Sequence, residues 1–162
     1  MLTIRGSDLK WTDALIACAA ASNCASPGFV RQGDPKPLRD MITDRINGSE
    51  ETDTARVIQE IRSKAANAVI LLAGYPQVFT TGSQHQVPNY QPLPDIGGVG
   101  FSADEAAFLT EMAGKLVITI GSTFDLAVKT NYVDVRGDWA DHELGGPLLS
   151  ESYFNSLWVS GE

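Results

Sequence analysis

At 162 residues with 43% hydrophobic content, the chain has the size of one ordinary domain and enough apolar mass to bury a core. A formal charge of −8, with 12 Lys and Arg scattered rather than clustered, leaves no basic patch and argues against nucleic acid as a partner. No apolar run approaches the roughly 18 to 20 residues of a bilayer-spanning helix, and Met1 opens straight into Leu2-Thr3-Ile4 without a cationic segment, so neither a transmembrane span nor a targeting signal is visible.

The segment 2–4 reads as a short strand and Gly6-Ser7-Asp8 as a turn. A helix follows, with Trp11, Leu15, Cys18 and Ala19 on its apolar side, and Ser7 or Asp8 is placed to cap it by accepting its orphan N–H groups. Cys18 and Cys24 are the only cysteines. Six positions apart, they suit a short loop-closing disulfide, with two free buried thiols as the alternative. Zinc would want four ligands, and only His85 and His142 remain to help, neither at a ligand spacing. A disulfide would imply an oxidising compartment.

Residues 26–37 are rich in Pro and Gly and predict a loop, after which Leu38, Met41, Ile42 and Ile46 mark a short helix closed by Asn47-Gly48. Val57, Ile58, Ile61 and Ala65 then share a helical face, and 68–73 is a continuous apolar run. Such a run predicts a strand buried on both faces inside a parallel sheet. It ends in Gly74-Tyr75-Pro76, so the polar loop 77–100 leaves the carboxyl end of a central strand, the edge where open α/β sheets bind ligands.

Ser102-Ala103-Asp104-Glu105 is a capping box that opens a long helix through Phe108, Met112 and Leu116, although the β-branched stretch 116–120 is also strand-like. Residues 132–135 predict another short buried strand, and 137–162 an irregular segment anchored by Trp139, Tyr153, Phe154 and Trp158. The alternation defines an α/β protein, one domain over 1–162, with no internal repeat.

Three stretches in order resemble the secreted SGNH (GDSL-like) esterases and lipases of actinobacteria. Leu2-Thr-Ile-Arg-Gly-Ser-Asp-Leu-Lys-Trp11, followed by Cys18 and Cys24, is similar to the family's Thr-Ile-Gly-Gly-Asn-Asp-Leu-x-Phe block and its cysteine pair. Leu71-Leu-Ala-Gly-Tyr-Pro-Gln-Val-Phe79 resembles Gly-Tyr-Pro-Arg-Leu-Phe. Tyr132-Val-Asp-Val-Arg-Gly-Asp-Trp-Ala-Asp-His142-Glu-Leu resembles Val-Asp-Val-x-x-x-Phe-x-Gly-His-Glu-Leu-Cys. The resemblance implies a three-layer α/β/α sandwich with a parallel, flavodoxin-like sheet, here incomplete. It also implies a carboxylic ester hydrolase working through an acyl-serine, a small ester or lipid substrate, no metal or cofactor, and an extracellular setting.

The departures are as informative. The family's Gly-Asp-Ser block, whose serine attacks the ester, would stand before Leu2, and its His-Pro block, which carries the general base, would follow near Glu162; neither is present in the 162 residues. A nucleophile without its base, or the reverse, loses most turnover, so this chain is expected to be poorly active or inactive. The family's oxyanion-binding asparagine matches Ser7, with Arg5 or Gly6 in place of the adjoining glycine. Losing one oxyanion donor typically costs about 3 to 4 kcal/mol in the transition state. Gly145 stands where the family has a cysteine, so one family disulfide cannot form.

Gly6 and Ser7 are therefore candidates for an oxyanion wall, with Ser7 also readable as a nucleophile or as a plain helix cap. His142, among Asp138, Asp141 and Glu143, can be read as a base with an orienting carboxylate or as an ordinary surface-loop residue. Asp134 is expected to bond backbone or Arg136 rather than to do acid–base work, and His85 to lie in a solvated loop. Trp139, Trp158 and Phe79 can line an acyl pocket or simply pack. A non-catalytic SGNH-like binding or structural module is the competing reading. A flavodoxin-like ligand domain is disfavoured because no Gly-rich phosphate loop follows a strand. An incomplete parallel sheet exposes apolar edges, which predicts marginal stability or self-association; the oligomeric state is otherwise open.

Overall fold

A computed structural model describes residues 10–21, 23–79, 85–86, 100–124, 129–140 and 142–143. Helix α1 (Trp11–Ala20) buries Ala14 and Cys18. Its N-cap is Lys10, in the left-handed region at φ 51°; Ser7 and Asp8, the caps expected from the turn chemistry, lie outside the described residues. No side-chain hydrogen bond from Lys10 caps the helix. The Cys18–Cys24 disulfide closes the loop after α1, with Cα atoms 5.0 Å apart, which settles the alternatives left by the spacing.

Helix α2 (Leu38–Arg45) turns Leu38, Met41 and Ile42 inward. Asn47-Gly48 does not end it. The chain passes through a π-helical turn (Ile46–Glu50) directly into α3 (Glu51–Lys64), the N–H of Ile46 reaching the carbonyls of both Ile42 and Thr43. Burial of Ile46 in the core keeps the backbone helical there and overrides the breaker signal of the following glycine.

Strand β1 (Ile70–Ala73) and strand β4 (Thr130–Val133) form a parallel pair in the register Ile70↔Thr130, Leu72↔Tyr132. The pairing extends at both ends, through Ile70 N–H to the Lys129 carbonyl at 3.0 Å and Gly74 N–H to the Val133 carbonyl at 2.9 Å. Between them lie the small antiparallel bridge of β2 (His85–Gln86) with β3 (Gly100–Phe101) and the long helix α4 (Ala103–Phe124). A strand, a helix and a parallel strand make the βαβ unit of an α/β sheet.

Two expectations change here. The run at β1 is not buried on both faces: Ile70 and Leu72 point into the core, while Leu71 is 56% and Val69 64% exposed. Val133, paired with Ala73, is exposed as well. Among the described residues, the packed core covers one face of this strand pair, and alternation along the strand leaves the other set outside. The stretch 116–120 is helix, because Met112, Leu116, Val117 and Ile120 recur at helical spacing and are all buried, so packing outweighs β propensity.

Helix α4 starts as the capping box predicts. The N–H of Ser102 donates to Glu105 Oε2 at 2.9 Å, the Ser102 hydroxyl lies 3.0 Å from the same oxygen, and the N–H of Glu105 donates back to Ser102 Oγ at 3.3 Å. Glu105 is only 2% exposed, and its other oxygen accepts the backbone N–H of Cys24 at 3.2 Å. One buried carboxylate thus joins the start of α4 to the disulfide loop.

Candidate functional site

The carboxyl end of the β1–β4 pair is where the sequence places the Gly74-Tyr75-Pro76 turn. Gly74 is buried, and a Cβ there would come within 3.1 Å of Tyr132 Cζ and closer still to its hydroxyl oxygen. A Cβ at Gly121 on α4 would lie 3.5 Å from the same ring, so two glycines make room for one tyrosine. Burial, and secondarily the Asp134 charge, push the Tyr132 phenol above its ordinary pKa.

Past β4, Asp134 pairs with Arg136. The guanidinium Nε donates to both carboxylate oxygens at 2.9 and 3.0 Å, and the backbone N–H of Arg136 donates to Oδ1 at 3.1 Å. Those bonds hold the Asp134 carboxyl below its usual range and raise the guanidinium. Asp134 therefore bonds Arg136, as expected, but from an exposed position beyond the strand rather than inside it.

Arg136 also borders a cavity of about 110 Å³ at this edge. Its walls are Trp11 of α1, residues 75–79 after β1, Leu109, Thr110, Ala113, Gly114 and Val117 of α4, and Arg136. Phe79 lines it while also packing edge-to-face on Phe101, centroids 4.9 Å apart. A more open groove of about 520 Å³ lies between the disulfide loop, Arg39 and the first turns of α4. There Arg39 sits 4.7 Å over the Phe108 ring and donates to Glu111 at 2.8 Å, and Lys115 also reaches Glu111 at 2.8 Å. Lys115, then Arg39, hold the Glu111 carboxyl below its usual range, so the charges in that groove answer one another.

Gly6 and Ser7, the candidate oxyanion wall, lie outside the described residues, as do Asp141 and Trp158. His142 is half-buried beside the buried Glu143, and Asp138 is exposed within a 3₁₀ turn (Gly137–Trp139). His85 contributes backbone to β2. Among the described residues no group of three His, Cys, Asp or Glu side chains is arranged to hold a metal ion. None of the described helices is long and apolar enough to cross a membrane. The residues missed by sequence reasoning are those of α4 that floor the cavity. Their signal was the pair Ala113-Gly114, which interrupts the bulky apolar side of a long helix.

No family model matches the sequence, and no curated protein matches it. Two solved structures do. Phospholipase A1 from Streptomyces albidoflavus NA297 superposes with a TM-score of 0.74 at 18% identity, over 99% of this chain and 58% of its own. An extracellular lipase from Streptomyces rimosus superposes with a TM-score of 0.66, also at 18% identity, over 93% of this chain and 59% of its own. The chain thus has the α/β fold of these two proteins and spans under two thirds of the length of each.

Proposed function

We propose that this chain is part of a carboxylic ester hydrolase of the SGNH type, acting on small ester or lipid substrates through an acyl-serine and exported to an oxidising compartment. The observation that carries the reading is the likeness in fold, over 99% of the chain, to a phospholipase A1, with the lipase as a second instance. The three ordered sequence blocks and the Cys18–Cys24 disulfide support it independently. A cavity with apolar walls at the carboxyl edge of a parallel strand pair is the kind of place where an α/β protein receives a ligand.

In that chemistry Gly6 supplies a backbone N–H and Ser7 a hydroxyl to the developing oxyanion, a shorter donor than the family asparagine. His142 supports the neighbouring loop and is not the general base. The nucleophile and base belong to Gly-Asp-Ser and His-Pro blocks that the 162 residues do not include. The test is the reading frame on either side, followed by expression of its whole product. That product should be labelled by a serine-directed fluorophosphonate and should hydrolyse p-nitrophenyl butyrate. A whole-frame product that does neither leaves a binding or structural module, the reading favoured by Arg5, Ser7 and Gly145 at family positions for glycine, asparagine and cysteine.

A further inference from the structure

The cavity beside β1 has an identifiable cause in the helix that floors it. Thr110, Ala113, Gly114 and Val117 stand three, four and seven positions apart, on one face of α4. Small residues occupy the middle of that face, and a Cβ built on Gly114 would meet no atom within 4 Å. A glycine inside a helix destabilises it relative to alanine, and no neighbouring atom here forbids a side chain. What the absent side chain leaves is open volume.

The walls around that volume are mostly aromatic and aliphatic, Trp11 and Tyr75 among them, with Gln77, Thr110 and Arg136 as the polar residues, and the buried Thr110 hydroxyl has no hydrogen-bond partner among the described residues. Arg136 brings a cation, but Asp134 already holds it through both carboxylate oxygens. A free fatty-acid carboxylate would have to displace that partner, whereas a neutral ester gains from apolar contact and needs only a neutral donor such as the Thr110 hydroxyl for its carbonyl. We propose that this cavity takes the acyl group of a short-chain, uncharged carboxylic ester. An apolar cavity of about 150 Å³ holds benzene, so about 110 Å³ has room for roughly four carbon atoms. The inference rests on the ester-hydrolase reading and narrows it to butanoyl-sized chains.

The test is a ¹H–¹⁵N NMR titration of the full chain with methyl butanoate, methyl octanoate and sodium butanoate. Methyl butanoate should give saturable shifts at the Gly114 and Ala113 amides and the Trp11 indole, with weaker binding of the other two. Gly114→Leu should weaken binding by at least about tenfold, equivalent to excluding roughly two methylene groups, while keeping a cooperative melt. If that variant lacks the parent's dispersed spectrum, Gly114→Ala and Ala113→Val make the same comparison with smaller losses. Absence of saturable shifts at all three positions, undiminished affinity in the filled variants, or tighter binding of the octanoate ester would overturn the proposal. Binding is read without turnover, so the two readings separate. Whole-frame hydrolysis without shifts at Gly114 sinks the pocket alone, and binding by a whole-frame product that hydrolyses nothing sinks the hydrolase alone.

Discussion

Glu105 and Cys24 are 81 positions apart, yet the buried carboxylate of one accepts the backbone N–H of the other at 3.2 Å. The same carboxylate also accepts from the backbone N–H and the hydroxyl of Ser102, so both of its oxygens have partners inside the protein. Hydrogen bonds to a buried charge contribute more than neutral ones, and removing the acceptor leaves donors unsatisfied. Glu105→Ala should therefore lower stability by about 3 kcal/mol and Glu105→Gln by about half of that, read from urea denaturation midpoints at constant m.

The disulfide next to that bond offers a coupled test. Replacing Cys18 and Cys24 by alanine should cost about 2 kcal/mol, as expected for a short closed loop. Without the cross-link the backbone at Cys24 is less fixed, and the Glu105 bond is worth less. Combining Glu105→Ala with the cysteine replacements should fall short of the summed losses by at least about 0.5 kcal/mol. Strict additivity would mean that the loop holds its place without the disulfide.

Gly74 has no room for a side chain because Tyr132 fills it. Gly74→Ala should cost about 2 to 3 kcal/mol through overpacking against the phenol. Tyr132→Phe removes the oxygen that lies nearest and should restore part of the loss in the double variant. A thermal melt of the four proteins decides this, and equal losses with and without the hydroxyl would place the clash elsewhere.

Thr54 is wholly buried, and its hydroxyl has no hydrogen-bond partner among the described residues. Valine has nearly the same shape and nothing to desolvate. Thr54→Val should be neutral or stabilising by about 1 kcal/mol in chemical denaturation, since it removes an unsatisfied group. A loss of stability instead would reveal a partner for the hydroxyl.

Acid should lower the stability of the chain through its paired carboxylates, modestly at the exposed Asp134 and Glu111 pairs, which solvent screens. Arg31 holds Asp34, Arg136 holds Asp134, and Lys115 with Arg39 holds Glu111, each below its ordinary value. A depressed folded pKa gives stability that is fully present above the unfolded value, near 4, and is lost as pH falls through the folded one. Stability should be level from about pH 5 upward and fall below about pH 4, more shallowly in Asp34→Asn. At the alkaline end Tyr132 has the opposite sign. Its raised pKa contributes below about 10 and is lost as the pH climbs through the folded value, a loss absent in Tyr132→Phe.

The local signals were legible where one segment decides its own conformation. The capping box at Ser102 and Glu105 could be read from neighbouring residues, and the cysteine spacing admitted the loop disulfide beside two free thiols; the strand at 70–73 does pair in parallel, although the two-sided burial from which that was expected is absent. Asn47-Gly48 misled because burial of Ile46, a tertiary fact, carries the helix across them. The one-sided burial of β1 was illegible for the same reason, since a run of apolar residues does not say which layers are there to cover it. In the candidate site, Phe79 was foreseen and the floor of the cavity was not. Ala113 and Gly114 look like ordinary helix residues until Trp11 and the chain after β1 are brought opposite them.

The two oxygens of Glu105 also differ in when they can be satisfied. The bonds to Ser102 span three positions and can form as soon as α4 nucleates, whereas the bond to Cys24 must wait for distant parts of the chain to meet. Closing a long loop is entropically slow to be rewarded, so that half of the interaction belongs on the native side of the folding barrier. A variant that keeps the cap but loses the Cys24 contact should unfold faster while folding at nearly the parent rate, which makes this carboxylate a brake on opening more than a guide to assembly.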